Sequence, residues 1–78
     1  MRRFDPPAIF AALDAERVRR GLSWAELAAQ TGVAESTLRR TRRPGRFEAD
    51  GVLAMAQWLG RPVEDFTRPG DLPPEVLR

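Results

Sequence analysis

A chain of 78 residues has room for one domain and one small core, and this one contains neither cysteine nor histidine. Disulfide stapling, thiolate chemistry and ordinary zinc ligation are therefore excluded, leaving helix packing and self-association as sources of stability. The net charge is only +2, but Arg39, Arg40, Arg42, Arg43 and Arg46 fall together with no acid between them, while the rest of the chain sets eight arginines against eleven acids.

That local concentration of positive charge is the footprint expected of a polyanion binder. The competing reading is a solvated helix face in an arginine-biased chain, since all thirteen basic residues are arginine. No apolar run approaches the roughly 20 residues of a membrane span, so no membrane partner is expected. Arg2 and Arg3 are not followed by the apolar stretch of a secretory signal, and the expected location is cytoplasmic.

Met1 to Phe4 reads as a short arm. Two readings of Arg2 and Arg3 are open, a minor-groove arm and a frayed basic terminus. Asp5 followed by Pro6 and Pro7 predicts a helix start, with a carboxylate cap and a proline where a missing N–H costs nothing. The first helix is expected over 6–20, with Ile9, Phe10, Leu13 and Arg17 on one stripe, Val18 beside them and Gly21 closing it. Ser23 and Glu26 form a capping box for a second helix over 24–30, with Leu22 and Leu27 at the hydrophobic-staple positions.

Thr31-Gly32-Val33 is the next turn, and a third helix is expected over 35–43 behind the poor cap Ala34. Leu38 and Thr41 point one way on it, and Ser36, Arg39, Arg40 and Arg43 the other. Pro44-Gly45 stops it. A fourth helix over 49–59 carries Val52, Leu53, Met55, Ala56 and Leu59, and a short turn over 62–66 brings Phe66 to the core. Leu13, Leu27, Leu38, Leu53, Ala56 and Leu59 are expected in one core, with Trp58 a core or dimer contact. The fold class is all-α, with a five-helix domain over 1–66 and a proline-rich tail over 67–78 in which helix is admitted at most over 74–78.

Two short helices joined by a glycine-containing turn make the sequence picture of a helix-turn-helix. Over about 9–66 the chain resembles the Cro/Xre-type, phage-repressor-like DNA-binding domains. The residues that carry the resemblance are Arg17 four before Gly21, GLSWAELA from Gly21, GVAESTL from Gly32, and LAMAQWLGRPVEDF from Leu53. The resemblance implies five helices, with the third lying in the major groove of double-stranded DNA. It implies base contacts from Glu35, Ser36 and Arg40, and backbone contacts from Trp24, Arg39, Arg43 and Arg46. Glu35 is also explained by its charge at a helix N-terminus, and Trp24 by a half-buried surface aromatic.

The chain departs from the family pattern at five of these places. Trp24 stands where glutamine is frequent, Ala34 replaces the serine or threonine cap, and Thr41 a branched apolar residue. Pro44 replaces a glycine, and Arg42 replaces the acid that pairs with the first-helix arginine, so Arg17 needs another partner.

The implied function is sequence-specific DNA binding by a transcriptional regulator, expected as a repressor, with a homodimer compatible with two half-sites. The alternative is an antitoxin-like protein-interaction module that keeps the fold. No catalysis is expected, for want of a nucleophile–base pair, a metal cluster or a phosphate loop. No cofactor is expected either, nor a small-molecule ligand, because a drug-sized pocket is hard to fit in this length.

Overall fold

Four α-helices, one 3-10 turn and a two-stranded ribbon make up residues 2–70, the part of the chain that the computed structural model describes. Helix α1 (Pro6–Arg20) starts with proline in its first turn and ends at Gly21, whose φ of 69° is the left-handed conformation that glycine adopts without strain. The amides of Gly21 and Leu22 donate back to the Val18 and Arg17 carbonyls, closing the helix end. The Asp5 carboxylate makes no capping bond. Its place is fixed through the backbone instead, by the Asp5 amide donating to the Phe66 carbonyl at 2.7 Å.

Helix α2 (Trp24–Thr31) is capped as expected. Ser23 Oγ accepts from the Glu26 amide at 3.1 Å, and the Ser23 amide donates to Glu26 Oε1 at 2.8 Å. Gly32 (φ 77°) then turns the chain into α3 (Glu35–Arg40), three residues shorter than the expected 35–43. The expected last turn tightens: the amides of Thr41, Arg42 and Arg43 donate three residues back, to Leu38, Arg39 and Arg40. Pro44 makes that ending necessary, because the residue before a proline is disfavoured in helical conformation.

Helix α4 (Ala49–Leu59) is followed by a single 3-10 turn, Val63–Phe66, where the fifth helix was expected. Strands β1 (Arg2–Phe4) and β2 (Thr67–Pro69) pair antiparallel with Phe4 opposite Thr67, an element the sequence did not announce. Arg2 is thereby held, its Nε donating to Thr67 Oγ1 at 3.0 Å and its Nη2 to the Thr67 carbonyl at 2.8 Å. Arg2 therefore has partners within the fold, and Thr67–Pro69, placed by the sequence in the tail, has a partner strand. The expected helix over 74–78 lies outside the described residues.

The core gathers Ile9 and Leu13 from α1, Leu27 from α2, Val33 from the turn, Leu38 from α3, Met55 and Ala56 from α4, and Phe66. Two expected members differ. Leu53 is half exposed, and Leu59 is only partly buried against the core. Residues 52, 55, 56 and 59 share one helical face, and Leu53 stands about 100° away from it. Val18 likewise lies off the core stripe, at 63% exposure. Among the described residues no helix is long and apolar enough to cross a membrane.

Candidate nucleic-acid interface

Helix α3 turns Leu38 inward, and the following Thr41 is fully buried with its hydroxyl donating to the Leu38 carbonyl at 2.6 Å. Two fixed inward residues three apart leave the opposite face to Ser36, Arg39 and Arg40, all exposed. Ser36, Arg39, Arg40, Arg42 and Arg43 together line a shallow groove of about 280 Å³. Arg42 was not among the expected site residues; it joins them because the tightened turn after Arg40 carries it round to this face. Its membership in the arginine run was the one available signal.

Each expected residue has a definite neighbourhood. Glu35 Oε2 forms an ion pair with Arg39, 3.3 Å from its Nε and one turn along the helix, with both side chains about half exposed. Such a pair contributes about 0.3–0.5 kcal/mol. Trp24 is half-buried, stacked on Phe10 at 5.4 Å between ring centroids and 13° between planes. The Arg17 and Arg39 guanidinium groups lie 4.6 and 5.9 Å from its ring centre, so Trp24 meets the arginine face at its edge. Arg46 is exposed in the loop after α3, and its side chain stands outside the groove.

Arg40 is held by two contacts. Its guanidinium lies 4.3 Å from the Phe47 ring centre, and its Nη1 donates to the Arg46 carbonyl at 3.2 Å. Phe47 was missed by sequence reasoning: six residues, a proline-glycine turn among them, separate it from Arg40, and no periodic pattern spans such a loop.

Arg17 finds its acid within its own helix. Its Nη2 donates to Asp14 Oδ1 at 2.7 Å, and its Nη1 donates to the Leu22 carbonyl at 2.9 Å. Arg42 is thereby free of any role in holding α1. The Arg17 Nε is buried without a hydrogen-bond partner among the described residues, which weakens this substitute for a longer-range pair.

A second concavity, of about 430 Å³, lies between α3 and the start of α4. Val33, Ala34 and Met55 make its apolar wall, with Arg40, Glu48 and Asp50 at its polar side. Its size falls within the range of ligand pockets, larger than the length of the chain led one to expect. A third groove, of about 280 Å³ and almost wholly apolar, runs between Phe4, Phe47, Val52, Leu53 and Val63. Among the described residues no group of histidine, cysteine and carboxylate side chains is arranged to hold a metal. Compared with known proteins, the chain matches no family model, no curated protein and no solved structure.

Proposed function

We propose that the chain is a helix-turn-helix regulator of the Cro/Xre type that binds double-stranded DNA, with α2 and α3 as its reading unit and α3 in the major groove. The observation that carries this reading is the exposed arginine face: Arg39, Arg40, Arg42 and Arg43 line one groove, with Arg46 beside it and no acid in the same run. A face of that charge neutralises phosphates and releases their counterions, which supplies affinity without sequence preference. Arg40 and Ser36, one turn apart at its centre, are the residues positioned to add preference by touching base edges. Repression is the expected outcome of occupying an operator.

Selection from a random duplex pool tests the reading, and a palindrome in the selected sequences would establish a dimer on two half-sites. Within the selected site, Arg40→Ala should cost about 1–3 kcal/mol and relax the preference at one base pair. Arg46→Ala should weaken all duplexes alike and lower the salt slope by about one unit. Salt-independent binding, or no enrichment of any sequence, would overturn the proposal. The second reading, a protein-interaction module, is favoured by the apolar groove along Phe4, Phe47, Leu53 and Val63, with Leu53 half exposed. An apolar interface there would tolerate salt that disrupts phosphate contacts.

A further inference from the structure

We infer that Phe47 is a specificity-positioning residue: it holds the Arg40 guanidinium in a fixed plane so that its free edge can read a guanine. The inference rests on the DNA-binding reading above. A free arginine side chain samples many rotamers, and ordering it on binding costs entropy. Here two contacts have already ordered it. The guanidinium carbon lies over the Phe47 ring, 4.3 Å from its centre, and the Arg46 carbonyl takes one Nη1 hydrogen at 3.2 Å.

What those contacts leave open decides the chemistry. The cation–π contact takes up no N–H in a hydrogen bond to an oxygen or nitrogen acceptor. Of the five N–H donors, Nη1 has one hydrogen engaged, while Nε and Nη2 donate to no described residue. The Nε–Nη2 edge therefore offers two parallel donors, the pattern that matches guanine O6 and N7 in the major groove. Phe47 is itself held, packing edge-on against Phe4 with ring centroids 6.0 Å apart and planes at 80°. Phe4 sits in β1, paired with Thr67 of β2. The ribbon thus braces Phe47, and Phe47 braces Arg40. Among the described residues no aromatic ring lies under Arg42 or Arg43, which suits side chains that need only follow a phosphate chain.

The test measures binding of the wild type, F47L, F47Y, R40A and the F47L/R40A double variant to the selected duplex and to single-mismatch duplexes at fixed salt. F47L keeps apolar bulk in the loop and removes the stack. It should lower the preference about 2- to 5-fold at the same base pair that R40A relaxes. F47Y should restore that preference, and F47L should have no further effect in the R40A background. An unchanged salt slope for F47L would support the assignment, because no phosphate contact is lost. Equal losses on every duplex, or a full F47L effect in the R40A background, would mean that Phe47 only scaffolds the loop, with the DNA reading intact. Unchanged preference in R40A would overturn the assignment of Arg40 as a base reader, and this inference with it. The stack is also read without DNA: the Arg40 Nε–H resonance should carry a ring-current shift in the wild type and F47Y that F47L abolishes. A shift surviving in F47L would refute the stack whatever the duplexes show.

Discussion

Helices α2 and α3 follow one another, are eight and six residues long, and each buries one leucine, Leu27 and Leu38. They are held by different means. Helix α2 carries its own start: Ser23 and Glu26 satisfy each other's backbone donors, and Gly32 closes the far end. Helix α3 has no side-chain cap at Ala34, and it ends in a run of tightened turns. An isolated six-residue helix is unstable in water, so α3 persists through what packs beneath it, Val33, Leu38 and Thr41. The difference suits the proposed division of labour. A helix anchored from below can give its whole outer face to arginines, and mutual repulsion among them is borne by the core contact.

The sharpest way to break this comparison is at Leu38. Leu38→Ala should destabilise the fold by about 2–5 kcal/mol in denaturant unfolding, because it removes the anchor of α3 and opens a cavity under it. A loss below about 1 kcal/mol would show that α3 is not held from beneath. The caps give a smaller, two-sided test. Ser23→Ala should cost about 1 kcal/mol and leave any DNA sequence preference unchanged, whereas Ala34→Ser should gain a few tenths up to about 1 kcal/mol, since α3 lacks the cap that α2 has. Were the two substitutions to act with the same sign, local capping would not distinguish the helices.

The smallest effect is in pH. The Ser23 amide, followed by the Ser23 hydroxyl, holds the Glu26 carboxyl in the α2 cap below its ordinary range. A depressed folded-state pKa contributes stability that is present above the unfolded value and lost as pH falls through the folded one. Wild type should therefore lose more stability than E26Q on acidification from pH 5 towards pH 2, because the amide of E26Q keeps an acceptor but no titrating charge. Glu16, brought down to about 2 by its hydrogen bonds to Arg19 and Arg20, titrates in the same window. The difference between the two proteins, rather than either curve alone, isolates the box. Parallel curves would remove Glu26 from the account.

How far the sequence spoke for itself follows from the range of each interaction. The starts of α1 and α2 and the ends of α1, α2 and α4 were legible because Pro6, Ser23 with Glu26, Gly21, Gly32 and Gly60 act within four residues of where they stand. The outward face of α3 was legible for the same reason, being set by Leu38 and Thr41 on the other side. The end of α3 was not, because tightening after Arg40 reflects Pro44 acting backwards on Arg43. Leu53 was misplaced because a broad apolar face does not say which of its edges meets the core, while Leu59, on that face, packs against the core only in part. Phe47 under Arg40 was invisible, since contacts across a loop leave no period in a sequence. The groove residues Ser36, Arg39, Arg40 and Arg43 were found; Arg42 beside them was not.

The β1–β2 ribbon closes the longest loop in the described chain, with Arg2 and Thr67 in contact 65 positions apart. Local helices form in a microsecond or less, whereas a contact of this separation must wait until the intervening chain is compact. Assembly therefore has an order: helices and core come first, and the ribbon closes over them last. Its three-residue strands have few buried contacts of their own, so the ribbon also opens before the rest. In amide exchange the β1 and β2 protons should be replaced while those beneath Leu13 and Met55 remain. Phe4 leaves with the ribbon, and with it the brace on Phe47. If Arg40 reads bases as proposed, its aim should then fade on heating before the fold does, a loss of discrimination well below the melting temperature.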